Sequence, residues 1–387
     1  MNAEPPQVFI FSGEISGDMF GGNLLKSLKK QWPQINVSGV GGPVIRSEGI
    51  SNVLRMEDFQ VMGFSDVFSS LPRLWRQFSH VRDHILKTKP DIAIFVDSPS
   101  FSLRMARVLR KKGYSGKIIQ YVSPTVWAWG KDRVSSMAKS FDLLLTIYPF
   151  EAEYFSQSSL KTIYVGNPLQ EIIKTHSYHP TWKQLVDIKE TDSVIALFPG
   201  SRQAEIKRHL PTLLKAAKMI HNRIPNLVFA ISCSDENNMP LLQSILNQTL
   251  PTHSLNISFI PKKYSYELMK EAKTAIAKSG TVTLELALHA CPTVVFYELT
   301  TLNKFIAQYV LKVKLPFYCI VNILAKKKVF PELIETRCTP ENVFENFLSL
   351  HQNGTQRESC LVACASIKAL FEKDNASDSA AKAIVAL

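Results

Sequence analysis

Apolar residues in this chain come in short unbroken runs rather than in strict alternation, and that pattern most limits what it can fold into. Residues 8–11, 35–40, 92–96, 118–122, 143–147 and 162–165 form one series of such runs. Residues 194–198, 227–232, 257–260, 274–277 and 293–297 form a second. Continuous apolar runs of this length indicate strands buried on both faces, hence parallel sheets. Stretches of helical character separate the runs, so the β-α-β alternation passes along the chain twice. The expectation is two doubly wound parallel-sheet domains facing a central cleft, which suits 387 residues at about 150–200 residues per domain. The boundary falls near 166–192, which holds Asn167-Pro168, a polar stretch over 176–180, and Trp182 in a helix leading into the second domain. Domains are expected over 1–170 and 171–340. A helical tail over 341–387 is expected to pack back on the first domain or on a partner subunit.

The balance of charge narrows the partners. The net charge is +12, which suits nucleic acid, anionic lipid or phosphorylated substrates. It is unevenly placed: 10 Lys/Arg stand against 4 Asp/Glu over 61–112, and six lysines with no acid lie in 299–331. No helix-turn-helix or RNA-binding signature accompanies these clusters, so lipid and phosphosugar rank above nucleic acid. No window of about 18 uninterrupted apolar residues is present to span a membrane. The N-terminal MNAEPPQ has no basic leader region, and the expected location is cytoplasmic. The six cysteines show no CxxC pair and no metal-ligand spacing. Cys360 and Cys364, one helical turn apart, read as buried packing. No metal and no cofactor are expected.

Several segments could carry chemistry. GEISGD at 13–18 follows the first apolar run and precedes a helix expected over 23–30. It therefore reads as a strand-to-helix turn at the open end of a parallel sheet, where such folds bind ligands. Its glycines admit close approach, and Glu14 and Asp18 place carboxylates there. YVSPTVWAW at 121–129 crowds two tryptophans around the polar handles Ser123 and Thr125. Asp97 ends a buried strand ahead of Ser98-Pro99; it suits a general base and equally a helix N-cap.

In the second half, Phe198-Pro-Gly-Ser-Arg202 with Glu205 forms another strand-to-helix turn. Gly200 permits the turn, the N–H groups after Ser201 can hold a phosphate, and Arg202 can grip it with two donors. A capped helix start with a solvated Arg is the plainer alternative. Ser279, Gly280 and Thr281 offer donors for a diphosphate. Glu285, one turn further on, can accept from ribose hydroxyls or simply complement the helix dipole. Neither turn matches the lysine-containing P-loop, and no GxGxxG follows a strand. Val67, Phe68, Leu71, Leu74, Trp75 and Phe78 recur at helical spacing beside Arg73, Arg76 and Arg82. That pattern fits an interfacial membrane helix or an amphipathic helix on its own core.

Taken in order, GEISGD, VMGF at 61–64, the Asp97-Ser-Pro turn, YVSPTVWAW, YPFE at 148–151, VGNP at 165–168, PGSR, SGTVTLE at 279–285, VNILA at 321–325 and PEL at 331–333 resemble the lipid-A-disaccharide synthase family. The resemblance implies a GT-B-type α/β fold of two Rossmann-like domains. It implies an inverting, metal-independent glycosyltransferase that joins UDP-2,3-diacylglucosamine to 2,3-diacylglucosamine 1-phosphate. It makes Asp97 the preferred base, with Glu14 and Asp18 as alternatives. Gly200, Ser201, Arg202, Glu205, Ser279, Gly280, Thr281, Glu285 and Asn322 become UDP-sugar contacts. Ser16, Met62, Ser123, Trp127 and the helix from Val67 to Phe78 become acceptor- or lipid-facing.

The enzyme would then work peripherally on the inner face of the bacterial inner membrane, with a homodimer left open and no nucleic acid bound. The sequence departs from the family at Ser100, Ser102, Gly130, Lys131, Val321, Lys326, Lys327 and Glu335, which touches acyl-chain and acceptor preference. The rivals are another GT-B UDP-GlcNAc enzyme, either a peptidoglycan glucosaminyltransferase or a 2-epimerase, and a non-catalytic binder of lipid phosphate or nucleotide sugar. The VWAW segment speaks against the first and Asp97 against the second.

Overall fold

The computed structural model describes residues 5–59, 66–126, 132–251, 255–298, 316–372 and 375–387, with backbone alone for 66–71 and 132. The chain forms two compact units, Met1–Glu171 with Asp374–Leu387, and Ile172–Lys373.

The first unit is built on a seven-stranded sheet of order β3-β2-β1-β4-β5-β6-β7. Its strands are β1 Gln7–Ser12, β2 Asn36–Gly41, β3 Ser51–Arg55, β4 Ile92–Val96, β5 Lys117–Tyr121, β6 Leu143–Thr146 and β7 Lys161–Tyr164. Every recorded pairing in it is parallel. Strand β4 is buried at all its positions, as an apolar run covered on both faces must be. The helices are α1 Ile15–Gln31, α2 Pro43–Ser47, α3 Asp66–Thr88, α4 Pro99–Lys111 and α5 Asp132–Ala138, and α6 Pro168–Thr175 contains the boundary between the units. Phe11 of β1 stacks on Phe101 of α4 with ring centroids 3.9 Å apart. Phe59 meets both rings edge-on. This aromatic group pins the start of α4 to the end of β1.

The second unit repeats the design with six strands in the order β10-β9-β8-β11-β12-β13. They are β8 Ser193–Phe198, β9 Leu227–Cys233, β10 Asn256–Pro261, β11 Thr274–Lys278, β12 Thr293–Tyr297 and β13 Glu332–Ile334. Helices α7 Gln203–Arg223, α8 Met239–Thr249, α9 Ser265–Glu271 and α10 Thr281–Leu288 follow strands β8 to β11 in turn.

Three expectations are corrected. Helix α1 begins at Ile15, not Asn23, so most of GEISGD is the first turn of a helix. Trp182 lies in a turn ahead of the short helix Gln184–Val186 rather than in a helix. There it is 1% exposed in the second core, and its indole donates to Glu271 at 2.9 Å. The tail over 341–387 also divides. Helices Pro340–His351 and Thr355–Phe371 belong to the second unit, where Arg357 donates to the carbonyls of Lys273 and Leu350. Only Ala376–Val385 joins the first unit. Its Asp378 accepts from Ser27 of α1 at 2.6 Å, and the Ser377 N–H reaches Glu171 at 3.0 Å. Edge strands β3 and β13 escaped the sequence reading because β3 is polar and half-exposed and β13 is three residues long.

Replacing Trp182 by Ala leaves a cavity and removes one donor from Glu271, which keeps its pair with Lys183 at 2.9 Å; such large-to-small losses cost about 3–5 kcal/mol. In urea, Trp182→Ala is expected to unfold the second unit at clearly lower concentration. An unchanged midpoint would remove Trp182 from the core.

Candidate functional site

Each unit places its polar cluster where the first strand meets the fourth-position strand, at the carboxyl ends. In the first unit that crevice lies between β1 and β4, and the chain turns there into α1 and α4. Asp97 and Ser98 both adopt left-handed backbone, φ 56° and 49°, which is costly for residues other than glycine and is held only where the surroundings impose it. The imposing contacts are on view. Gln120 of β5 donates to the Asp97 carbonyl at 3.1 Å, and the Ser102 hydroxyl of α4 does so at 3.1 Å. Asp97 Oδ1 accepts from the Ser98 N–H at 3.0 Å, and Oδ2 accepts from the Ser16 hydroxyl at 3.0 Å.

The N-cap reading of Asp97 is therefore set aside, since Ser98 occupies the cap position of α4 and the Asp97 carboxylate points across to α1. Gly17 permits the approach: a Cβ there would stand 3.2 Å from the Val96 carbonyl and 3.3 Å from Asp97 Cβ. Half-buried and oriented by two donors, the Asp97 carboxylate keeps further lone pairs for a substrate hydroxyl. Glu14 is exposed beside it as the N-cap residue of α1.

In the second unit the crevice lies between β8 and β11. Gly200 has φ 123°, and a Cβ on it would meet the Glu205 side chain at 2.7 Å. Glu205 bends back from the first turn of α7, accepting from the Ser201 N–H at 3.1 Å. Its other oxygen pairs with Lys278 Nζ at 3.0 Å. Burial acts to raise the Glu205 carboxyl pKa, but the Lys278 charge and these donors outweigh it and hold the group below its usual value. His209 fixes the turn from behind, its Nδ1 3.0 Å from the Pro199 carbonyl. Burial holds that ring below its usual pKa, hence neutral. Arg202 stands exposed at the cap of α7. Across the crevice, Ser279 gives its N–H to the Phe296 carbonyl at 2.9 Å. Gly280 and Thr281 open α10, whose first N–H groups have no acceptor within the helix.

Some expected site residues are committed elsewhere. Asp18 is 3% exposed and accepts from the N–H groups of Gly42, Val44 and Ile45 at 2.8–3.0 Å. It holds the β2–α2 turn and is corrected from alternative base to structural cap. Asn322 is fully buried, donates to Phe330 and Glu332 and accepts from Val329 and Phe330; none of its amide is left for UDP. Glu205 likewise fills the α7 N-terminus with its own carboxylate. The buried Ser123 hydroxyl turns onto the Pro124 carbonyl at 3.0 Å. Phe78 packs against Phe101 at 5.4 Å, facing the core. Leu74 is half-buried and Trp75 is 68% exposed. Met62, Trp127 and the side chains of Val67, Phe68 and Leu71 lie outside the described residues. Lys278 and His209 were missed. Lys278 could have been found by the rule that picked Asp97, for it ends the topologically equivalent strand.

Among the described residues, no helix is long and apolar enough to cross a membrane.

Two tandem Rossmann-like α/β units, each with its polar turns at the strand carboxyl ends, define the GT-B class of fold. The same fold is seen in a UDP-GlcNAc 2-epimerase from Neisseria meningitidis, solved bound to UDP-GlcNAc. That structure is similar at TM-score 0.67 and 13% identity, covering 98% of this chain and 99% of that one. Within that class, the lipid-A-disaccharide synthetase family profile matches residues 8–385, and the chain belongs to this family. A lipid-A-disaccharide synthase from Chlamydia pneumoniae is 38% identical over 92% of this chain and 59% of its own length. One from Hahella chejuensis is 34% identical over 100% of this chain and 96% of its own. The chain thus spans little more than half the length of the chlamydial relatives it matches.

Asp18→Ala would leave buried N–H groups unsatisfied, at about 1–3 kcal/mol each. It is expected to lower the melting temperature by several degrees, where Glu14→Ala does not; equal melting curves would return Asp18 to the list of candidate bases. Because Glu205 has a lowered carboxyl pKa in the folded chain, its stabilisation is complete above the usual value of 4.5 and is lost as pH falls through the folded one. Lys278→Met is expected to shift acid unfolding towards higher pH. An unmoved acid limb would deny the pair any role in stability.

Proposed function

We propose that the chain is an inverting glycosyltransferase that joins UDP-2,3-diacylglucosamine to 2,3-diacylglucosamine 1-phosphate, giving the β-1,6 disaccharide 1-phosphate and UDP. The observation that carries this reading is family membership over residues 8–385 together with an oriented, half-buried Asp97 at the end of β4. In the proposed step Asp97 takes the proton from the acceptor 6-hydroxyl as that oxygen bonds to the anomeric carbon, opposite the diphosphate. The bond from the anomeric carbon to the diphosphate oxygen breaks, and its electron pair leaves on UDP. General-base help of this kind is worth about 10²–10⁴-fold.

Ser16 orients Asp97, and Glu14 is the remaining alternative base. The departing negative charge would be met by the N–H groups opening α10 at Gly280 and Thr281 and by Arg202 and Lys278. The α10 N-terminus is preferred to that of α7, which Glu205 already occupies. The UDP-sugar class is supported by the fold relative that holds UDP-GlcNAc, and Glu285 is assigned to the ribose. The exposed Trp75 between the exposed Arg73 and Arg76 supports peripheral binding of α3 to anionic lipid, at the cytoplasmic face of the inner membrane.

The test is turnover in detergent micelles with both lipid substrates and EDTA, reading disaccharide and UDP. Equal amounts of both products are expected, with turnover down at least about 100-fold in Asp97→Ala and UDP affinity retained. Full activity in that variant would move the base to Glu14. No product with any acyl length, despite UDP binding, would overturn the assigned acceptor.

A further inference from the structure

Glu285 is gripped from two sides by groups that the proposed chemistry leaves unused. From α9, the Tyr266 hydroxyl donates to Glu285 Oε1 at 3.1 Å. At the end of α10, His289 Nδ1 lies 2.7 Å from the Glu285 carbonyl oxygen. A carbonyl only accepts, so Nδ1 carries the hydrogen. Burial holds the His289 ring below its usual pKa and hence neutral, which leaves Nε2 as an acceptor. The Tyr178 hydroxyl, 2.9 Å away, donates to it. The Tyr266 ring is itself wedged, edge-on to His176 at 5.0 Å and beside His289 at 5.3 Å. Side chain and backbone of this one residue are therefore both fixed.

The hydrogen bonding also decides what remains available. Burial pushes the Tyr266 phenol well above its usual pKa, so it stays protonated and donates. Burial raises the Glu285 carboxyl too, while the Tyr266 hydrogen bond and the charge of Lys262 act to lower it. With Oε1 taken, no described residue donates to Oε2, and Glu285 retains partial access to solvent. An unrestrained glutamate on a helix surface would have to give up rotamer freedom when a ligand arrived. Here the phenol has already removed that freedom and aims one free oxygen.

We infer that Tyr266 is a positioning residue of the nucleotide-sugar site: its hydroxyl locks the Glu285 carboxylate so that Oε2 meets the ribose diol, and so makes the site select ribonucleoside diphosphates over forms lacking those hydroxyls. The inference rests on the assignment of Glu285 to the ribose made above.

Titration calorimetry with UDP and 2′,3′-dideoxy-UDP separates the two. The wild type is expected to prefer UDP. Tyr266→Phe keeps the ring against His176 and His289 and deletes one oxygen. It should cut that preference about three- to tenfold through weaker UDP binding alone, with dideoxy-UDP unchanged. In turnover the KM for the UDP-sugar should rise with kcat retained. Both ligands are measured on the same sample, so a fall in folded fraction does not alter the ratio. A full preference in Tyr266→Phe alongside a lost preference in Glu285→Ala would overturn the role of Tyr266. Equal weakening of both ligands in Tyr266→Phe would reduce that role to packing and overturn it too. A preference retained in Glu285→Ala would overturn the ribose assignment itself, and the inference with it.

Discussion

Parallel pairing of β1 with β4, and of β8 with β11, is the constraint on which the rest of the molecule depends. Each pairing sets side by side two strands whose chains leave towards different helices, which opens a crevice at their carboxyl ends. The register fixes who stands there: Ser12 lies opposite Val96 and Ala277 opposite Phe198, so the next residues along β4 and β11 are Asp97 and Lys278. An acid ends one crevice and a base the other. The first suits a group that removes a proton, and the second suits a leaving phosphate.

Hydrogen-bond capacity sorts the polar side chains around these crevices into two kinds. Asp18 is buried and saturated by backbone N–H groups, and Asn322 is buried and saturated by backbone groups together with the Glu332 carboxylate. They close turns, and a buried turn with unsatisfied N–H groups is costly enough to explain an acid or amide there. Asp97 and Glu285 are half-buried and carry one or two donors each. A carboxylate has about four acceptor positions, so these two are oriented and still able to receive a ligand hydroxyl. Similar residue types at neighbouring turns thus differ in the hydrogen-bonding capacity they keep, and exposure together with the donor count tells them apart.

That distinction marks where the sequence stops being legible. The nine internal strands could be read because burial on both faces demands unbroken apolar runs, the edge strands β7 and β10 carry short apolar runs of their own, and the polar turns followed from their position after strands β1, β4, β8 and β11. Edge strands β3 and β13 lack the double burial that produces the signal. Asp18 and Asn322 could not be separated from ligand-binding residues, because their partners lie 24–27 and 7–10 positions away and are set by tertiary packing. Tyr266 was hidden for the same reason: it sits 19 residues before Glu285, on a helix with no motif of its own. Lys278 is legible from topology, since it ends the strand equivalent to the one that Asp97 follows.

Glu205 shows how the second crevice can distinguish its two helix ends. A helix N-terminus attracts anions through its unpaired N–H groups and dipole, and α7 and α10 both present one beside Lys278. At α7 a carboxylate of the chain itself already stands against the Ser201 N–H and Lys278, and Gly200 is the residue that lets it come so close. An incoming phosphate would have to displace that internal anion at α7, whereas among the described residues no acceptor stands against the N–H groups of Gly280 and Thr281 at α10. In the proposed reaction the Glu205–Lys278 pair would therefore do more than stabilise a turn: it would direct the diphosphate towards Gly280 and Thr281, one helical turn from Glu285, so that a nucleotide held there would present its ribose to the carboxylate that Tyr266 contacts.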